Sequence, residues 1–93
     1  MNDKIRFAVD RAAAVLKELG AREVYVFGSA ARGTMREDSD IDLAVTGLPP
    51  GVFFRAWARI DNVGGREIEL VDLDVESAFT RYLREEGELL RVG

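Results

Sequence analysis

The chain has 93 residues, of which 47% are hydrophobic, 32% charged and two proline, a composition that fits one globular domain and excludes disordered, collagen-like and coiled-coil classes. At this size roughly 60–65% of the unfolded surface is buried, so the core is single and modest. Thirteen Lys and Arg against seventeen Asp and Glu give a net charge of −4, a poor footing for strong nucleic-acid binding by this chain alone.

Neither Cys nor His occurs, which excludes disulfides, thiolate sites, His-ligated zinc and Ser-His-Asp hydrolysis. The longest charge-free run, residues 43–54, is twelve residues long and contains Pro49-Pro50; a membrane span needs about 20 apolar residues. Charges at Asp3, Lys4, Arg6, Asp10 and Arg11 leave no apolar signal segment, so a cytoplasmic location is expected.

In chain order, Asn2 or Asp3 can cap a first helix in which Ile5, Ala8, Val9, Ala12, Val15, Leu16 and Leu19 recur at helical spacing and which Gly20 closes. Residues 23–27 are β-branched and aromatic and read as a strand. Residues 28–33 form a tight turn opening a short helical stretch, and Thr34 to Ser39 a polar loop. Residues 40–45 are a second strand, 47–51 a turn, and 52–60 a helix carrying Phe53, Phe54, Trp57 and Ile60. Gly64-Gly65 breaks it. Residues 67–71 are a third strand. Asp74 is expected to cap a last helix with Val75, Ala78, Phe79, Tyr82 and Leu83 inward, and residues 88–93 are a tail able to add a strand. The expected fold class is α/β (α+β), a small mixed sheet of three strands, four if the tail joins, with helices covering one face. Residues 1–93 are expected to form a single domain.

Strand alternation puts Asp40 and Asp42 on one face with Ile41 and Leu43 on the other, and the two aspartates about 6.5 Å apart at Cα. Like charges 4 Å apart at an effective dielectric near 20 repel by about 4 kcal/mol. With no basic partner nearby in sequence, a divalent cation is the natural compensation, and hard oxygen donors select Mg²⁺, Mn²⁺ or Ca²⁺. An EF-hand is excluded, because Leu43 and Pro49 stand where its loop needs Gly and Glu. Glu67 and Glu69 share a face of the third strand, and one of them can complete a two-metal carboxylate set; parity does not choose between them. Gly28-Ser29, at a strand-to-helix turn, offers backbone N–H groups and a hydroxyl to an anion, without the glycine spacing of a Walker loop or a dinucleotide fingerprint.

Val26-Phe27-Gly28-Ser29-Ala30-Ala31-Arg32-Gly33 and Asp38-Ser39-Asp40-Ile41-Asp42-Leu43, with ten residues between Gly28-Ser29 and Asp40-x-Asp42, resemble the signature of the minimal nucleotidyltransferases of the DNA polymerase β-like superfamily, of the antitoxin type paired with HEPN-domain toxins. The stretch Arg66-Glu67-Ile68-Glu69-Leu70-Val71-Asp72 resembles the third-strand motif of that family, in which the acidic residue precedes Leu-Val. The resemblance therefore implies Asp40, Asp42 and Glu69 as catalytic and metal-binding residues, Glu69 standing where many relatives carry Asp. It also implies Gly28, Ser29, Arg32 and Ser39 as nucleotide-binding residues. The activity implied is Mg²⁺-dependent transfer of AMP from ATP, with two Mg²⁺ ions (or Mn²⁺), to a tyrosine hydroxyl of a partner HEPN toxin, in a hetero-complex or homo-oligomer. Two other readings stand beside it: a non-catalytic antitoxin acting by occlusion, and a nucleotidyltransferase acting on a small molecule or an RNA end. The Phe53-Phe54-Trp57 stretch offers a docking face, although core packing accounts better for at least two of the three.

Overall fold

A computed structural model describes residues 2–34, 40–61 and 63–93. Helix α1 (Asp3–Glu18) starts at Asn2, whose side chain accepts a hydrogen bond from the Ile5 amide at 2.9 Å, satisfying one of the orphan donors of the first turn. Strand β1 (Glu23–Phe27) leads without a break into the short helix α2 (Gly28–Arg32). Strand β2 (Ile41–Thr46), helix α3 (Phe53–Ile60), a 3₁₀ turn (Val63–Gly65), strand β3 (Ile68–Asp72), helix α4 (Ala78–Glu85) and the two-residue strand β4 (Leu90–Arg91) follow. No helix among the described residues is long and apolar enough to cross a membrane.

The four strands form one sheet in the order β3-β2-β1-β4, so the tail does join it. β1 runs antiparallel to β2 and β4, and β2 runs parallel to β3. A parallel neighbour requires a crossover, and α3 supplies it.

Alternation divides the sheet into two unlike faces. Val24, Val26, Ile41, Leu43, Val45, Ile68 and Leu70 lie on one face and pack with Ile5, Ala8, Val9, Ala12 and Leu16 of α1 and Ala56 and Ile60 of α3. This is the main core. Phe53 and Trp57 pack against it, while Phe54 remains 78% exposed, so two of the three aromatics are indeed core. The Trp57 indole N–H donates to the Ile68 carbonyl at 2.7 Å, which ties the crossover helix to edge strand β3.

The other face is not bare, contrary to the expectation that helices cover one side. Tyr25, Ala44 and Val71 are in register across three strands, and α4 packs over them through Leu83, with Leu73 and Leu89 completing a second small cluster. Three apolar residues in a row need cover, and the last helix provides it.

Two further expectations for α4 are corrected. Ser77, not Asp74, is its N-cap: Ser77 Oγ accepts from the Thr80 amide at 3.1 Å, and Thr80 Oγ1 accepts from the Ser77 amide at 3.0 Å, a reciprocal capping box. Asp74 instead accepts from the Gly47 amide at 2.7 Å. Only Thr80 and Leu83 of the helix are buried, and Val75, Phe79 and Tyr82 are exposed. A single helix crossing a three-residue row needs one large inward side chain, and Leu83 fills the space over the small Ala44.

Trp57→Phe keeps an aromatic ring but loses the indole N–H, leaving the part-buried carbonyl of Ile68 short of that donor. It should cost about 1–2 kcal/mol, read by urea denaturation followed by far-UV circular dichroism.

Candidate active site

At one end of the α4-bearing face the row Tyr25-Ala44-Val71 gives way to a second row. Phe27 is directly opposite Asp42, and Asp42 directly opposite Glu69. Directly opposed residues of an antiparallel pair, here Phe27 and Asp42, have Cβ atoms about 4.5–5.5 Å apart, and the parallel neighbour Glu69 is one strand spacing of about 4.8 Å away. The register thus resolves what parity left open: Glu69, not Glu67, is the neighbour of Asp42. Asp40 precedes the strand rather than lying in it, and is exposed.

The electrostatics agree with this convergence. The pKa of Asp42 is raised above the ordinary carboxyl value, first by burial, then by the charges of Glu69 and Asp40, while Arg32 at the end of α2 opposes the shift. Three carboxylates and one guanidinium therefore share a field at this end of the sheet. Asp42 is half-buried and Glu69 is exposed. Among the described residues, no three acidic side chains are drawn into one ion-sized cluster. The register sets Asp42 beside Glu69, and Asp40 acts on Asp42 through its charge.

Gly28 explains why Asp42 can occupy this position. Its φ is +70°, and a Cβ built there would stand 2.5 Å from Asp42 Oδ2. Any other residue would meet both the backbone conformation and the carboxylate. The helix that Gly28 opens has no side-chain cap at its N-terminus. Its C-terminal end closes on Gly33 at φ 75°, and the Thr34 amide donates to the Ser29 carbonyl at 3.0 Å. Gly28, Ser29 and Arg32 thus belong to one compact turn beside Asp42. Ser39, expected among the nucleotide-binding residues, and Asp38, considered as a partner for Arg32, lie outside the described residues.

The donor set suits a hard divalent cation. Asp42 and Glu69 offer carboxylate oxygens only, and the Glu69 charge raises the cost of ionising Asp42, which a cation relieves. One neighbour of the site escaped sequence reasoning. Phe27 shares the face of Asp42, and Phe79 of α4 meets it edge-on, ring centroids 6.3 Å apart. The alternation of β1 already puts Phe27 on this face, but the approach of Phe79 depends on where α4 lies.

A family model described as a nucleotidyltransferase domain matches residues 9–90, a span that runs from α1 to β4 and includes every described site residue. The chain belongs to the nucleotidyltransferase domain family. No curated protein matches the sequence. Among solved structures, a protein assigned to the minimal nucleotidyltransferases is 27% identical, with a TM-score of 0.70 over 91% of this chain and 91% of that one. A toxin-antitoxin crystal structure with AMP-PNP is 23% identical, with a TM-score of 0.68 over 86% of this chain and 70% of the other. The toxin-antitoxin MntA-HpeT, in a mutant with two aspartates two positions apart changed to glutamate, is 21% identical with a TM-score of 0.67, covering 86% of this chain and 69% of that one. The last two likenesses show the fold. The chain is a nucleotidyltransferase of small mixed α/β architecture.

The raised pKa of Asp42 has a definite sign. The folded chain binds this proton more tightly than the unfolded chain, so the associated stability is present at low pH and lost as pH rises through the carboxyl range to the folded value. With divalent ions chelated by EDTA, Asp42→Asn should therefore melt a few degrees above wild type at pH 7, and the difference should close below about pH 4, where the unfolded carboxyl is itself protonated. Gly28→Ala should lose on the order of 2–3 kcal/mol from strain and contact combined, measured in the same melts.

Proposed function

We propose that this chain is a Mg²⁺-dependent adenylyltransferase that moves AMP from ATP to a tyrosine hydroxyl of a HEPN-domain toxin, and so acts as an antitoxin of the minimal nucleotidyltransferase type. The observation that carries the reading is the row across β2 and β3, Asp42 beside Glu69, closed at its other end by a glycine that only fits without a Cβ. Two of the structural neighbours are toxin-antitoxin proteins, one of them with AMP-PNP, and the aspartates changed in the other have the spacing of Asp40 and Asp42. Residues 1–93 act as one catalytic domain.

Asp40, Asp42 and Glu69 would hold the ions. Bound Mg²⁺ would neutralise phosphate charge and lower the pKa of the attacking hydroxyl. The Gly28–Ser29 turn binds the β- and γ-phosphates through backbone N–H groups and the Ser29 hydroxyl, and Arg32 adds positive charge beside them. Ser39 belongs to the same phosphate site. The acceptor oxygen forms a bond to the α-phosphorus while the bond to the bridging oxygen breaks, and pyrophosphate leaves with that electron pair. Glu69, at the acceptor side of Asp42, takes the hydroxyl proton. Such transfer rests on positioning and charge stabilisation, so a site without His is sufficient. A net charge of −4 is compatible with this, since cations meet the phosphates.

The test is transfer of label from α-³²P-ATP to the purified toxin. Asp42→Asn and Asp40→Asn should each reduce labelling at least about a hundredfold, as removal of a charge-stabilising group does, with the fold intact by circular dichroism. Glu69→Gln should do the same and Glu67→Gln should not. Full labelling by the Asp40/Asp42 double mutant would reject the enzyme reading. Absence of labelling by any form, with the toxin still neutralised by the double mutant, would favour occlusion. Mg²⁺ with ATP should raise Tm through mass action, about 2.7 kcal/mol at a hundredfold excess over Kd, and Asp42→Asn should abolish that shift.

A further inference from the structure

We propose that the outer face of α4, with the loop that leads into it, is the surface on which the acceptor protein docks, and that the partner it fits presents a basic rim around an apolar recess; the inference rests on the nucleotidyltransferase reading of the site. One side of α4 faces the sheet, where Leu83 covers Ala44. Its other side is not uniformly polar. Val75, Phe79 and Tyr82 are 57%, 50% and 54% exposed, and they are three of the six exposed large apolar side chains among the described residues. Single exposed apolar residues need no explanation, but three within eight positions form a patch of the kind that marks a contact surface. Phe79 and Tyr82, three apart, are neighbours on the helix surface. Val75 is tied to the first turn, its carbonyl accepting from Thr80 Oγ1 at 2.7 Å. The patch is continuous with the site, because Phe79 meets Phe27 edge-on and Phe27 is directly opposite Asp42. A protein seated on α4 is therefore beside the carboxylates, where an acceptor hydroxyl has to arrive.

Charge decides what covers this face. Residues 72–88 contain six acids and two arginines, a net charge of −4 that equals that of the whole chain, so the remainder is neutral overall. Arg81 is paired with Glu76 and Arg84 with Asp74. Glu85, Glu86 and Glu88, at the far end of the helix, are exposed and have no ion pair among the described residues, although negative charge is unfavourable at a helix C-terminus. A second copy of this chain would bring the same charge to the same face, and a nucleic acid or an anionic membrane would bring more, so all three are repelled. A basic protein relieves the excess instead. Aromatic anchors at the centre and charges at the rim are the anatomy of a protein–protein interface.

The experiment titrates the full chain with the purified toxin by calorimetry, without nucleotide, and follows steady-state labelling of the toxin from α-³²P-ATP. The double variant Val75→Ala/Tyr82→Ala should weaken toxin binding about tenfold, as loss of an aromatic anchor does, and raise KM for the toxin by the same factor. Its kcat at saturating toxin and its Tm shift with Mg²⁺ and ATP should stay at wild-type values. Toxin affinity should fall as NaCl is raised, and Glu85→Gln, Glu86→Gln and Glu88→Gln combined should flatten that fall. Phe54→Ala, which removes an exposed ring from α3 across the main core, should change none of these. Wild-type toxin affinity in the double variant overturns the docking face and, with labelling intact, leaves the transferase reading standing. A lowered kcat with unchanged toxin affinity overturns it as well, since that marks damage to the site. Salt-insensitive binding overturns the basic partner. A chain that is dimeric alone by light scattering and becomes monomeric in the double variant overturns the proposal in favour of a self-contact. Binding that depends on Val75 and Tyr82 without any labelling supports the docking face and overturns the transferase reading. Failure of wild type to bind the toxin overturns both.

Discussion

Two like charges forced to be neighbours organise this molecule. Asp42 and Glu69 are brought together by the parallel pairing of β2 with β3, and parallel pairing cannot be made with a tight turn. Twenty-odd residues between the two strands serve that end. The turn at Pro49-Pro50, helix α3 and the Trp57 indole bond to the Ile68 carbonyl return the chain to the same end of the sheet from which β2 began. Folding supplies what the carboxylates oppose, since Ile41, Leu43, Ile68 and Leu70, which alternate with them along the same strands, are buried on the opposite face.

The sheet thus assigns stability and chemistry to its two sides. On one, apolar residues from three strands meet α1 and α3. On the other, α4 covers the row Tyr25, Ala44 and Val71 and reaches Phe27 of the next through Phe79, beside Asp42 and Glu69. Burial alone already pushes the Asp42 carboxyl up before its neighbours add to the effect, and Arg32 recovers part of the loss. A carboxyl in such surroundings favours its protonated form unless positive charge meets it.

Much of this was legible in the sequence because strand alternation has a fixed period. Asp42 and Leu43 had to face opposite ways, Gly28-Ser29 had to start a turn, and the apolar spacing of Ile5 to Leu16 had to be a buried helical stripe. What depended on register was not legible. Glu67 and Glu69 have the same parity, and only the pairing of Asp42 with Glu69 distinguishes them. The α4 region misled for a similar reason. Val75, Phe79 and Tyr82 have the spacing of an inward stripe, but the face beneath is narrow and Ala44 leaves space only for Leu83. Acids favour helix starts, which points to Asp74, yet the reciprocal Ser77–Thr80 bonds begin the helix later. Parity alone shows Phe27 on the face of Asp42, but a strand aromatic is ordinarily core.

Position 28 is held by two locks with separate keys. The backbone there takes a left-handed turn, and the space where a side chain would start is filled by an oxygen of Asp42. Shortening the aspartate would open the second lock and leave the first shut, while relaxing the turn would carry Ser29 away and leave the second. A change elsewhere that answers one of the two leaves the other in place, so descendants of this sequence that keep the acid are under pressure to keep the glycine too.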